Sequence, residues 1–310
     1  MSQSWQLRFR AILTGLVLAD LVGAEPSLIG LPALEQPSRE PCHQLWRQLL
    51  MQTAQAAGQG RLPSWQNEVP NGLAALQTAE VETPLLLSLS ALPLMLFQLD
   101  VGQGKAALAA WSEQQGLQPQ TQALMQAVFR LLQRGLRAGS LDSRPHFSHN
   151  SPGRTGEKPD ERTVDPNLGW LAASADGQFF DGEGGEPSSA WGSLANSLAI
   201  TQQAQGQYEL ALRLALRLPQ PAGEVPLVGL WAAVAGGLSA IPLGWRLEML
   251  YGSRAQAALK QRWAIAQEES LWQLTDTLFN RWIGVCPSLI SEASSVYPVG
   301  QVSSRLNRAN

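Results

Sequence analysis

Three carboxylates stand where the chain could do chemistry. Asp20 lies inside an apolar stretch running from Arg8 to Ala24, Glu25 follows it closely, and Glu224 opens a second apolar stretch. Asp20 with Glu25 or Glu224 could form the pair of carboxyls that cleaves a glycosidic bond without a metal, one as acid and the other as base or nucleophile. A structural role is the favoured reading of an acid on an apolar helix. Asp20 would then be a buried hydrogen-bonding group that ties the first helix to a neighbour.

Other reactive residue types lack a supporting pattern. His146 and His149 are three apart, a metal-binding spacing on a helix, but Pro145 and the surrounding Ser and Gly make that segment a solvated loop. The acidic run DGQFFDGEGGE from Asp176 to Glu186 does not place its acids at calcium-loop spacing and reads as a surface turn. Ser193 and Ser197 have no GxSxG context and no histidine nearby, and no glycine-rich phosphate loop follows a strand. Cys42 and Cys286 belong to no CxxC or Cys/His cluster and read as reduced, buried thiols. Trp231, Trp245, Trp263, Trp272 and Trp282 crowd the last third of the chain, as core packing or as a stacking platform for an adenine or a partner.

The elements that must position these groups are helical. Apolar residues recur at helical spacing from Trp5 to Ala24, where Pro26 forbids continuation, and again from Cys42 to Ala57 before the Gly58 to Gly60 stop. Further helices are predicted over Pro84 to Leu99, Lys105 to Gln114, Gln118 to Ala138, Ser188 to Gln205, Tyr208 to Leu218, Val225 to Gly237 and Ala255 to Trp282. No alternating strand pattern occurs, so the fold class is all-α, a single domain over residues 1–290. Residues 139–186 turn to Ser, Pro, Gly, Asp, Arg and Glu and read as a long flexible insertion loop, and 291–310 as a frayed tail.

With 45% hydrophobic residues in 310, the chain can bury a large core, and a net charge of −3 offers no basic field for nucleic acid. Arg8 and Arg10 followed by AILTGLVLA and the small residues ending at Ala24 imitate a signal peptide, with secretion after cleavage as the reading to exclude. Asp20 disfavours membrane insertion of that stretch, and Pro84 to Leu99 is short for a bilayer and carries Pro93. A cytoplasmic protein with no membrane partner is the expectation.

Three stretches together resemble the ADP-ribosylglycohydrolase family. RFRAILTGLVLADLVG from Arg8 to Gly23 is similar to that family's opening helix RFRGxLxGxxxGDALG, with Ala19-Asp20-Leu21-Val22-Gly23 at the GDALG position. ETPLLLSLSALPLMLF from Glu82 to Phe97 resembles its GxxMRxxPLxLLF helix, with Pro93-Leu94 retained and the Met-Arg lost. YELALRLALRL and GLWAAVAGGLSAIPLGW, the latter from Gly229 to Trp245, resemble its closing helices, which carry AIP followed by Trp. The resemblance implies a compact orthogonal helical domain of the ADP-ribosylglycohydrolase type. It also implies two magnesium ions that bind the ribose hydroxyls and activate a water for attack at the anomeric carbon.

The acids that would hold those ions are missing. The glutamate after GDALG corresponds to Ser27, no Thr-Asp-Asp occurs (Ser38-Arg39-Glu40 is the best positional candidate), and the DTDT motif corresponds to Gln220-Pro221-Ala222-Gly223. Hard divalent cations need oxygen ligands. With Ser27, Gln220 and Ala222 at the ligand positions, no metal and no cofactor is expected. The chain therefore reads as a non-catalytic pseudoenzyme that binds a protein partner or an ADP-ribose-like ligand. The alternative is a divergent but active ADP-ribosyl hydrolase in which Asp20, Glu25, Glu40 and Glu224 converge in one cleft.

Overall fold

A computed structural model describes residues 2–30, 40–65, 83–99, 104–138, 189–217, 224–265 and 268–284. Among them every element is helical. The α-helices are α1 (Ser2–Ala24), α2 (Glu40–Gly58), α3 (Thr83–Ser90), α4 (Leu92–Phe97), α5 (Gly104–Gln114), α6 (Pro119–Ala138), α7 (Ser189–Gln203), α8 (Tyr208–Arg217), α9 (Glu224–Gly236), α10 (Leu243–Tyr251), α11 (Ser253–Trp263) and α12 (Glu268–Trp282). Short 3-10 turns, Pro26–Ile29 and Leu238–Ala240, follow α1 and α9. The insertion expected at 139–186 and the tail at 291–310 lie outside the described residues.

Two helices have no solvent face along most of their length. Every residue of α1 from Ala11 to Val22 is buried, and so is every residue of α9 from Glu224 to Val234. A helix that is apolar all round must be enclosed, and these two enclose one another, forming the most extensive pairing in the fold. Glycines set how close they come. A Cβ on Gly15 would lie 2.5 Å from Ala233 Cβ, and one on Gly229 would lie 2.6 Å from the Gly15 carbonyl oxygen. Tyr208 of α8 donates to that same carbonyl at 2.6 Å, and burial holds its phenol well above the ordinary range.

The remaining helices wrap this centre. α7 and α8 pack on α9, α12 packs on α1 and α2, and α2 also meets α3, which in turn leans on α6. Helices with one wet face carry the matching pattern, as in α8, where Tyr208, Ala211, Leu212, Ala215 and Leu216 are buried and Arg213 pairs with Glu209 on the exposed side.

Two predicted helices are each divided. Pro84 to Leu99 breaks at Ala91 into α3 and α4, because Pro93 has no N–H to give and its ring opposes the carbonyl of Leu89. The chain bridges the break with Ala91 N–H to Ser88 O at 3.3 Å and Met95 N–H to Ala91 O at 3.0 Å. The predicted helix from Ala255 to Trp282 is two, α11 and α12, and α10 precedes them where no helix was expected. Ala264 ends α11 in the left-handed conformation at φ 54, its N–H returning to Lys260 O. Pro242 at the N-cap starts α10.

Candidate functional site

Arg47 lies on the buried stripe of α2, in register with Leu50, Ala54 and Ala57, and this carries its guanidinium to α1. There it meets Asp20 in a two-pronged ion pair, Nε to Oδ2 and Nη2 to Oδ1, both at 2.8 Å. Arg47 is 2% exposed and Asp20 4%. Trp263, at the end of α11, donates its indole N–H to Asp20 Oδ2 at 2.9 Å. Arg262 beside it brings Nε to 3.8 Å from the same oxygen. Trp46 and Trp263 meet edge to face with ring centroids 5.2 Å apart, and the Arg47 guanidinium lies 5.6 Å from the first ring and 6.0 Å from the second. The acid is therefore held by a planar cation matched to its geometry, and that cation is held in turn by aromatic faces.

The electrostatic consequence is one-sided. One carboxylate faces two guanidiniums, so the site is already compensated in charge, and both carboxylate oxygens are engaged. A divalent cation could reach Asp20 only by displacing Arg47 from a buried position, which would leave a guanidinium without its counter-charge.

Glu25 has a different arginine. It precedes the Pro26–Ile29 turn and accepts from Arg254 of α11 and, at 3.3 Å, from Ser27 Oγ. Arg254 also donates to Ser27 Oγ at 3.1 Å. A guanidinium thus occupies the position to which the sequence resemblance assigns a metal-binding carboxylate. Asp20 and Glu25 are served from opposite ends of α11, the first by Trp263 and Arg262 and the second by Arg254.

Glu224 opens α9 as a buried residue. Glu40 opens α2. Gln220 and Ala222 lie outside the described residues, as do His146, His149, the run from Asp176 to Glu186, and Cys286. Among the described residues no group of three or more His, Cys, Asp or Glu side chains is placed to hold a metal ion.

The other sequence candidates resolve into packing. Ser197 Oγ donates to Leu194 O and accepts from the Trp231 indole at 3.2 Å, and Ser193 is buried. Trp231, Trp245 and Trp263 are core residues, while Trp272 and Trp282 are half-buried against α1. An open cleft of about 490 Å³ lies where α8 meets the segment before α10, lined by Gln205, Gln207, Glu209, Leu210, Arg213 and Ala240 among others. Its size is that of a small-molecule site, and its amides and its Glu209–Arg213 pair offer donors and acceptors to a polar ligand.

Sequence reasoning found Asp20 and singled out Trp263 as a packing or stacking residue, but missed its bond to Asp20 and missed Arg47, Arg254 and Arg262. Among the described residues no helix is long and apolar enough to cross a membrane. Scanned against the models of known families, the curated proteins and the solved structures, the chain matches none of them.

Proposed function

We propose that the chain is a degenerate relative of the ADP-ribosylglycohydrolases, a cytoplasmic, non-catalytic helical protein that keeps a scaffold of that type and acts by binding a protein or an ADP-ribose-like ligand. The observation that carries the reading is the occupation of Asp20 by Arg47. The acid that marks the resemblance in α1 is neutralised inside the fold, and at the surface Arg254 pairs with Glu25 beside Ser27. A site that works through two magnesium ions needs several carboxylates with no competing cation. Here each of these two acids has an arginine of its own.

The reading carries no resident metal. The cleft beside α8 is the place it assigns to a ligand, because the cleft borders Ala240 and Pro242, residues of the segment in which the resemblance is closest.

Calorimetric titration with ADP-ribose, with and without Mg²⁺, tests it together with an assay for ADP-ribose release from a modified protein. Binding that is indifferent to Mg²⁺, with no release, is the expected result. Mg²⁺-dependent release of ADP-ribose overturns the reading and favours the divergent hydrolase.

A further inference from the structure

The first turn of α12 buries a carboxyl that no hydrogen bond explains. Glu268 is 0% exposed, and neither Oε1 nor Oε2 has a hydrogen-bond partner. On α10 the Nε of Arg246 is likewise shut off from solvent and has no partner. An acid and a base on neighbouring helices therefore influence one another without closing an ion pair.

The charges around them are few. Trp272, one turn further along α12, lies between two guanidiniums, Arg246 of α10 at 5.6 Å and Arg10 of α1 at 5.3 Å from its ring. Its N–H donates to Thr14 Oγ1 of α1 at 3.3 Å. Arg10 is committed to Asp276 of α12, Nε to Oδ1 at 2.8 Å. Glu269 is exposed and adds a second negative charge next to Glu268. Arg47, the buried cation of α2, is committed to Asp20.

An ionised carboxylate in such a place is strongly disfavoured when nothing pairs with it, so the fold favours the neutral acid. Burial is the main influence, with Arg246 opposing it and Glu269 adding to it, and the carboxyl is pushed up to about 7. A strained point lies just upstream. Ala264 sits at φ 54, a conformation that only a few per cent of non-glycine residues adopt.

We propose that Glu268 is a proton-operated latch at the junction of α10 and α12. As the neutral acid it seats the first turn of α12 against its neighbours, and as the carboxylate it leaves for solvent and that turn opens about Ala264. Acidic conditions close the latch and mildly alkaline conditions open it. The proposal is independent of what the chain binds.

Hydrogen exchange followed by mass spectrometry at pH 6 and pH 8, corrected for the intrinsic exchange rate, tests it on the full chain. For a group titrating near neutrality the ionised fraction rises about tenfold between those values, so protection of residues 268–276 is expected to fall by about that factor while α1 and α9 keep theirs. Glu268→Gln is expected to abolish the difference. Equal protection of residues 268–276 at both pH values in the wild-type chain overturns the proposal, as does the same loss in Glu268→Gln. A carboxyl NMR titration of the wild-type chain needs no variant. A Glu268 midpoint near neutrality supports the latch, and one below pH 5 refutes it.

Discussion

Replacing Arg47 by methionine keeps much of the side chain's length and removes its charge, its two bonds to Asp20 and its cation contacts with the Trp46 and Trp263 rings. What remains around the acid is the Trp263 N–H at 2.9 Å and the Arg262 Nε at 3.8 Å. Breaking one partner out of a buried pair costs about 3–5 kcal/mol, and these residual donors place Arg47→Met at the lower end, about 3 kcal/mol. The double variant Asp20→Leu, Arg47→Met removes both members of the pair and leaves the Trp263 N–H unsatisfied and Arg262 without this counter-charge, a loss of about 1 kcal/mol after the gain from the better-packed apolar pair. The double variant is therefore expected to be more stable than Arg47→Met alone by about 2 kcal/mol. Urea unfolding followed by far-UV circular dichroism and by tryptophan fluorescence measures it, since Trp46 and Trp263 flank the pair. The same titration repeated with millimolar Mg²⁺ is expected to leave the wild-type midpoint in place. A cost below about 1 kcal/mol for Arg47→Met, as at an exposed ion pair, would refute the reasoning. So would a midpoint that climbs with Mg²⁺, because a ligand of the folded state stabilises it in proportion to the logarithm of its concentration.

Gly229→Ala puts a methyl group 2.6 Å from the Gly15 carbonyl oxygen and 3.2 Å from the Tyr208 hydroxyl. Overpacking of about 1–3 kcal/mol then outweighs the gain in helix propensity of about 1 kcal/mol, and thermal unfolding is expected to show a lowered midpoint. Stability against urea is expected to peak in mild acid, because two carboxyls act in opposite directions. Glu268 is raised from 4.5 to about 7, so its contribution is complete below its unfolded value and is lost as the pH rises through the folded one, a change of about 3 kcal/mol that Glu268→Gln removes. Burial acts to raise Asp276, but hydrogen bonds from Arg10 and Gln6 outweigh it and the carboxyl is lowered from 3.8. Its contribution is therefore present above its unfolded value and lost as the pH falls through the folded one.

The helices were legible wherever one chemical signal dominated. Pro26 ended α1, because a proline acts within a single turn. The divisions were not equally legible. Pro93 in Pro84 to Leu99 was visible as a helix breaker, yet a run so apolar reads as continuous; in the fold the chain divides there and α4 packs on α2 and α5. The end of α11 at Ala264 carries neither glycine nor proline, and what imposes it is tertiary: α12 must turn back to reach α1 and α2.

The site was half legible for a related reason. An aspartate inside an apolar helix announces that something must compensate it, but the sequence does not say what. Arg47 gave a signal of its own, a cation in register with Leu50, Ala54 and Ala57 on a stripe that should be apolar. Read together, a buried acid on α1 and a buried base on α2 define one object, and metal binding is then the costlier explanation of Asp20. Nearer the surface, Arg10 with Asp276 and Arg254 with Glu25 again give each acid a cation within the chain. Glu268 departs from that pattern, because Arg246 lies near it without closing the bond. A fold that neutralises these other acids with arginine leaves this carboxyl to be neutralised by a proton, which makes α12 the element whose packing should follow pH.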